Sequence, residues 1–175
     1  GEQANQPPQM RVALLTGSNA PDRETILQRT AALLVERIGR LVAHSAIYTS
    51  SAWGFRSERD FANQALLLET ELEPEQVLDK ALAVEQIVGR DREAESRERA
   101  LTGERYASRV VDVDIILCED RVISTPRLRV PHPLMHEREF VLRPLCEIMA
   151  AERHPLLGRT IEELYNALKT NAQKI

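Results

Sequence analysis

The stretch RVVDVDIILCED, residues 109–120, places two aspartates, Asp112 and Asp114, inside a run of valine, isoleucine and leucine. A run so rich in β-branched residues predicts a strand buried on at least one face. Residues i and i+2 of a strand project from the same face, so the two carboxylates should point together while Val111, Val113 and Ile115 point the other way.

Two neighbouring carboxylates repel one another, and the pKa of one rises, unless a cation lies between them. A hard divalent ion such as Mg²⁺ prefers oxygen ligands and takes one or two protein carboxylates together with substrate phosphates. The pair therefore predicts a magnesium site for a nucleotide. Two other interpretations stay open, in which the aspartates lie on a solvated face or pair with arginines.

The rest of the chain predicts strands and helices that alternate around this strand. An apolar strand at 11–17 leads into a helix at about 23–38, which ends at Gly39, and extended runs follow at 40–51 and 61–72. A second helix at 73–89, ending in Gly89, precedes the aspartate strand. RVIS (121–124) should form a short partner strand, and further helices are expected at about 138–150 and 160–169. The segment 90–108 is dense in both charge signs and predicts a solvated loop or a partly helical excursion.

This order predicts an α+β domain with the ferredoxin-like βαββαβ plan, a mainly antiparallel sheet, helices packed on it and a helical C-terminal extension. We expect residues 1–10, GEQANQPPQM, to be a flexible tail and residues 11–175 to form one domain. That fold hosts many functions, so it does not decide the chemistry.

The composition excludes several classes of function. The 175 residues carry 23 basic and 27 acidic side chains, a net charge of -4, which offers no general attraction to nucleic acid or anionic lipid. No apolar stretch approaches the roughly 20 residues of a membrane span. The two cysteines, Cys118 and Cys146, have no CxxC spacing, which fits a reducing cytoplasm better than a disulfide scaffold or a zinc site. We expect a monomer.

The segment RYASRVVDVDII, residues 105–116, resembles the signature of 6-hydroxymethyl-7,8-dihydropterin pyrophosphokinases. In that signature a basic residue, a small pair, an arginine and then Asp-hydrophobic-Asp stand at these intervals. The resemblance extends from about residue 11 to 165 and includes GSN (17–19), FANQA (61–65), VPH (130–132) and REF (138–140), in the family's order. It implies the same ferredoxin-like fold and transfer of the terminal diphosphate of ATP to the hydroxymethyl group of a reduced pterin, with release of AMP, on the route to folate.

The resemblance also implies a role for individual residues around the nucleotide. Asp112 and Asp114 would hold two Mg²⁺ ions against the triphosphate. Arg109, and less directly Arg90 and Arg92, match arginines that cover the phosphates when mobile loops close. The remaining nucleotide neighbours would be Leu78, Glu85, Arg105, Ile115, Arg127, His132 and Arg138. Because such loops should become ordered only around bound polyphosphate, we expect the nucleotide to bind first and to tighten pterin binding.

The pterin is a flat heterocycle, so it should lie between aromatic faces and be recognised by an amide and backbone groups. Phe61, Asn63 and Phe140 stand at the matching positions. An asparagine inside a strand is costly unless its amide is satisfied, and a ligand edge would satisfy it. The chain departs from the family pattern elsewhere around the pterin. Tyr106 replaces an aromatic residue that is often tryptophan, and SSAW (50–53) replaces the usual prolines, so Ser50, Ser51 and Trp53 are less secure pterin neighbours.

The stretch between Gly89 and Arg105 is longer than in compact family members, so Arg97 or Arg99 is an alternative to Arg90 and Arg92. Two alternative functions also remain. A non-catalytic relative would bind both ligands and form no AMP. A metal-dependent phosphodiesterase or nuclease with the same aspartate pair would cleave a phosphodiester without pterin. No basic stripe with interleaved aromatics supports the nuclease.

Overall fold

The computed structural model describes residues 8–50, 60–100 and 110–173, without the side chains of 92–100 and 172–173. Its strands are β1 (Met10–Ser18), β2 (Arg40–His44), β3 (Tyr48–Ser50), β4 (Phe61–Thr70), β5 (Asp112–Cys118), β6 (Ile123–Ser124) and β7 (Arg129–Val130). Its helices are α1 (Arg23–Arg37), α2 (Pro74–Ala100), α3 (Glu139–Met149) and α4 (Ile161–Gln173), with a short 3₁₀ helix at Met135–Glu137. The protein is thus α+β, as the sequence predicts.

The main sheet has the strand order β2-β4-β1-β5, and β3 also pairs with β4. All of these pairings are antiparallel. The extended run predicted at 40–51 is two strands, β2 and β3, because the chain leaves the ladder around Ser45, whose backbone and hydroxyl both bond to Ala65 of β4. RVIS does not join the main sheet: β6 pairs with β7 in a separate small sheet.

Helices cover both faces of the main sheet, which gives a three-layer architecture with two apolar cores. One core packs α1 and α2 against the sheet, through a stripe on α2 formed by Val77, Ala81, Val84 and Val88 at helical spacing. The other packs α3 and α4 against the opposite face, through Val141, Leu142, Leu145, Ile161 and Leu164. The strands between them are therefore buried on both faces, as the burial of β1 and β4 shows.

The sequence predicts that helix α2 ends at Gly89, but the helix continues to Ala100. The residues that follow Gly89 are strong helix formers, and opposite charges stand four positions apart at Glu93 and Arg97 and at Glu95 and Arg99. Past the glycine, Asp91 also forms an ion pair with Arg29 of α1. These contributions favour continuation over the roughly 1 kcal/mol cost of one glycine in a helix. The partly helical reading of 90–108 is confirmed up to Ala100.

Strand β5 has an irregularity just after the two aspartates in the chain. Leu14 of β1 pairs with Ile115, whereas its neighbour Ala13 pairs with Leu117, so Ile116 is an extra residue in β5. Its side chain and that of Leu117 both enter the core under α3 and α4. A bulge of this kind breaks the alternation of a strand at one place and leaves it intact on either side.

The small β6–β7 sheet is fastened to the first turns of α2 by polar contacts. Arg121 pairs with Glu73 at 3.4 Å, the Thr125 hydroxyl donates to Glu75 at 3.0 Å, and Arg127 pairs with Asp79 at 2.5 Å. Within the described ranges, no helix is both long and apolar enough to cross a bilayer.

Candidate active site

The two aspartates of β5 lie on one face of the sheet, as the sequence predicts. Asp112 pairs with Gly17 of β1 and Asp114 with Leu15. Val113 and Ile115, 7% and 5% exposed, point into the core on the opposite face, whereas Asp112 is half-buried and Asp114 exposed. The carboxylates therefore share an accessible environment at the end of the sheet, on the side that α3 and α4 cover further along.

Asn63 faces the same side of the sheet from two strands away. Gly17 of β1 pairs with Asp112 on one side and with Asn63 of β4 on the other. Neighbouring strands are about 4.8 Å apart, so the backbones of Asp112 and Asn63 are roughly 10 Å apart. The buried Asn63 amide donates from Nδ2 to the carbonyl of Thr16 at 3.2 Å, which holds the side chain over Gly17.

Two phenylalanines predicted around the pterin are both exposed. Phe61 stands two residues before Asn63 on β4, hence on the same face, and is 37% exposed. Phe140, in the first turn of α3, is 39% exposed, and the guanidinium carbon of Arg138 lies 5.6 Å from the centre of its ring. Ser50, the last residue of β3, pairs with Phe61. The exposed rings are available to a flat ligand.

His132 and Arg138 belong to the aspartate end of the site. The His132 backbone N–H donates to the carbonyl of Ile116 at 2.9 Å, which fixes the histidine beside β5. Burial lowers the pKa of His132, and while the Asp114 carboxylate opposes that shift, Arg138 adds to it. Asp114, His132 and Arg138 are thus within electrostatic reach of one another.

The remaining residues predicted around the nucleotide lie along α2 and the outer edge of β5. The Glu85 carboxylate accepts a hydrogen bond from the Val113 N–H at 2.8 Å, and Arg127 is paired with Asp79. Leu78 packs against the core beneath α2. The Ile115 side chain is buried in that same core, on the face opposite the aspartates, so only its backbone is directed towards the strand edge.

The remaining predicted residues are described only in part. Arg90 is exposed on α2, and the backbone of Arg92, Arg97 and Arg99 is helical, but the side chains of those last three are outside the described part. Ser51, Trp53, Arg105, Tyr106 and Arg109 lie outside the described residues altogether.

A magnesium site here depends on two protein carboxylates. Among the described residues, no group of three or more His, Cys, Asp or Glu side chains is arranged to hold a metal. Two aspartates on one strand face nevertheless fit Mg²⁺, which keeps several waters and takes its other ligands from substrate phosphates. The donor set suits a hard cation that arrives with a nucleotide and suits zinc poorly.

The structure also brings forward residues that the sequence did not single out. Gly17 is one of them, because a Cβ at this position would lie 2.6 Å from Nδ2 of Asn63. A glycine inside a strand often marks such a close approach, and this signal was available in the sequence. The contact of Tyr48 with Glu147 joins residues 99 positions apart, and no local sequence pattern predicts it.

Comparison with known proteins shows the family of this chain. The family model of 7,8-dihydro-6-hydroxymethylpterin-pyrophosphokinase matches residues 13–150. The chain is 35% identical over 145 residues to a 2-amino-4-hydroxy-6-hydroxymethyldihydropteridine pyrophosphokinase of Porphyromonas gingivalis, covering 82% of this chain and 93% of the relative. It is 36% identical over 152 residues to the enzyme of the same name from Aquifex aeolicus, covering 87% and 88%.

Solved structures share the fold at low sequence identity. A Plasmodium falciparum HPPK-DHPS with SDX-DHP superimposes with a TM-score of 0.74 at 13% identity, over 97% of this chain and 46% of that one. An HPPK-DHPS in complex with substrates gives a TM-score of 0.70 at 14% identity, over 95% and 45%. The chain spans less than half the length of these solved chains. On the family match and the relatives together, the chain belongs to the 7,8-dihydro-6-hydroxymethylpterin-pyrophosphokinase family.

Proposed function

We propose that this protein transfers diphosphate from ATP to the hydroxymethyl group of 6-hydroxymethyl-7,8-dihydropterin, giving AMP and the pterin diphosphate in folate biosynthesis. One observation carries the proposal beyond family membership. The acidic pair of β5 and the amide of Asn63 share one face of the sheet on either side of Gly17. This arrangement supports the proposal, because a transfer between two substrates requires the groups that bind them to face one space.

In this reaction, different residues on this face bind the two substrates. The pterin hydroxyl oxygen attacks the β-phosphorus of ATP in line and its proton passes to solvent, while the bond from that phosphorus to the oxygen shared with the α-phosphate breaks and AMP leaves. Asn63 reads the pterin edge while Phe61 and Phe140 flank the ring. His132 and Arg138 stand beside Asp114, where Arg138 adds positive charge next to the phosphates. Such a reaction is driven by positioning and by neutralising phosphate charge, without a covalent enzyme intermediate.

Asp112 and Asp114 are the residues that would hold Mg²⁺, and we infer two ions. When bound, magnesium neutralises the phosphate oxygens and aligns the triphosphate. Arg109, with Arg90 or Arg92, is proposed to cover the phosphates, and Arg97 or Arg99 is the alternative. The remaining assignments are Leu78, Glu85, Arg105, Ile115 and Arg127 for the nucleotide, and Ser50, Ser51, Trp53 and Tyr106 for the pterin.

We also infer that the long strands follow the ferredoxin-like βαββαβ plan, which the order β2-β4-β1-β5 and its antiparallel pairings support. A monomer in a reducing cytoplasm is proposed as the working state. Free Cys118 and Cys146 are compatible with that compartment.

The test is to incubate the protein with ATP, MgCl₂ and 6-hydroxymethyl-7,8-dihydropterin and to separate the nucleotides by chromatography. We expect AMP and the pterin diphosphate in equal amounts, and no AMP when either the pterin or magnesium is left out. Binding of both ligands without AMP would contradict the proposal and favour a non-catalytic relative. Cleavage of a phosphodiester substrate in the absence of pterin would favour the hydrolase instead.

A further inference from the structure

The edge strand β3 is fastened to helix α3 through one carboxylate. The Ala46 N–H, just before β3, donates to both oxygens of Glu147 at 3.1 and 3.2 Å, and the Tyr48 hydroxyl donates to Oε1 at 2.6 Å. The guanidinium carbon of Arg143 lies 4.6 Å from the centre of the Tyr48 ring. We call Tyr48, Arg143 and Glu147 the β3–α3 clamp.

The clamp lies on the same side of α3 as one wall of the proposed pterin pocket. Phe140, Arg143 and Glu147 are spaced by three and then four residues, so they follow one another along a single helix face. Phe140 is at the N-terminal end of that face and Glu147 is about two turns further along. Whatever fixes Glu147 against β3 therefore also fixes the position of Phe140 relative to that strand.

The clamp also adjoins the other wall of the proposed pterin pocket, which β4 forms. β3 is three residues long, and within the described ranges its ladder partner is β4. Tyr48 pairs with Asn63 and Ser50 pairs with Phe61, so each residue of β4 proposed to contact the pterin has a β3 residue beside it. A three-residue strand at an edge gains little from its own ladder, and a contact that orders it has a large effect on the local geometry.

We propose that Glu147 and Tyr48 are positioning residues for the pterin. By tying β3 to α3, they set the spacing between Phe61 and Asn63 on the sheet and Phe140 on the helix, the gap into which the heterocycle fits. Neither residue needs to touch the pterin for this role. The inference rests on the proposed function of the site, and it predicts an effect confined to one of the two substrates.

The hydrogen bond from the Tyr48 hydroxyl to Glu147 is suited to a role at neutral pH. Acceptance by Glu147 raises the pKa of the Tyr48 phenol, with burial and the carboxylate charge acting in the same direction. The phenol therefore stays protonated and continues to donate. A hydrogen bond to an ionised acceptor is shorter and stronger than a neutral one, in agreement with the 2.6 Å separation.

The experiment compares Tyr48→Phe, Glu147→Gln and the double variant with Glu152→Gln, which changes an exposed carboxylate just beyond α3. Each protein is measured for the KM of pterin, for kcat, for calorimetric Kd values of a non-hydrolysable MgATP analogue and of pterin in its presence, and for melting temperature. Tyr48→Phe keeps the ring under Arg143 and removes only the hydroxyl. Glu147→Gln keeps the shape and removes the charge.

We expect each single variant to raise the KM and Kd of pterin by roughly ten- to a hundredfold, the range of one lost charge-assisted hydrogen bond. The kcat and the Kd of the nucleotide should change by less than about twofold, and Glu152→Gln should match the wild type. The double variant should be no worse than the poorer single variant within about threefold, because both substitutions break the same contact.

Two results would overturn the inference. In one, pterin and nucleotide affinities fall together, which indicates general loss of structure. In the other, pterin affinity is unchanged although the melting temperature falls, which indicates a contact that stabilises the fold alone. Wild-type protein that formed no AMP would instead contradict the proposed function. The calorimetric comparison of pterin binding would still test the clamp in that case.

Discussion

A Cβ atom on Gly17 would lie 2.6 Å from Nδ2 of Asn63, so the side chain of Asn63 occupies the space that any other residue at position 17 would need. We predict that Gly17→Ala displaces the Asn63 amide and breaks its hydrogen bond to the Thr16 carbonyl. The affinity for pterin should fall about tenfold, as for one lost hydrogen bond at a buried site. Calorimetry with pterin in the presence of a MgATP analogue measures this, and unchanged pterin affinity would show that Asn63 does not read the ligand.

Gly89 differs from Gly17, because a side chain at this position would cause no clash. In helix α2 a Cβ on Gly89 would meet nothing within 4 Å. Replacing it with alanine removes the conformational cost of a glycine within a helix, so Gly89→Ala should stabilise the protein by about 0.5–1 kcal/mol. Urea unfolding followed by circular dichroism checks this value. A loss of stability would mean that the helix is not continuous through position 89.

Neutralising either acid of β5 should stop diphosphate transfer. Asp112→Asn and Asp114→Asn each remove one charge from the proposed magnesium site, and a metal supplies several kcal/mol to such a reaction, so we expect a fall in kcat/KM of about a hundredfold or more. Asp120→Asn, in the turn after the same strand, should retain full activity. AMP formation at several magnesium concentrations is the measurement. Activity within a few-fold of wild type in either variant would exclude the aspartates as the metal ligands.

His154 should make the stability of the protein depend on pH. The ring is 4% exposed, and its Nδ1 accepts hydrogen bonds from the N–H groups of Leu156 and Leu157, both at 3.1 Å, which requires the neutral form. Burial lowers the pKa of His154, and the nearby His136 lowers it further. The unfolded chain therefore binds more protons just below its pKa of about 6.5. The contribution of the neutral ring is complete above that pH and is lost as the pH falls towards the lower pKa of the folded state.

Melting temperatures between pH 5.5 and 8 test this. The fall on acidification should be smaller in His154→Asn, which keeps an acceptor near Nδ1 but does not titrate. His44→Gln, at an exposed position, is the control for the replacement of a histidine. Equal slopes in all three proteins would show that His154 contributes nothing to the pH dependence, whatever the carboxylates contribute.

The sequence predicts those features of the fold and site that depend on short-range periodicity. A period of two is enough to put Asp112 and Asp114 on one face and Val113 and Ile115 on the other, and this prediction is confirmed. The positions of the long helices follow equally from apolar spacing. The predicted end of α2 at Gly89 was wrong because the favourable residues beyond it outweigh a single unfavourable one.

Features that depend on distant parts of the chain were not predictable in this way. The division of 40–51 into two strands arises from bonds between Ser45 and Ala65, and the contact of Glu147 with Tyr48 requires α3 to be docked on the sheet. The role of Gly17 is an intermediate case. A strand glycine is visible in the sequence, but the side chain for which it makes room is identified only when β4 is placed beside β1.

The extra residue in β5 at Ile116 has a consequence for how this strand tolerates insertion and deletion. Above it, Asp112 to Ile115 keep their pairing with β1, and below it Leu117 and Cys118 keep theirs. Loss of one residue at this point would leave a regular ladder with both acids still on one face of the sheet. The same loss at Val113 would rotate Asp112 to the hydrophobic side of the sheet and separate it from its companion. A change of length in β5 should therefore be tolerated only at Ile116, where it leaves the positions of Asp112 and Asp114 unchanged.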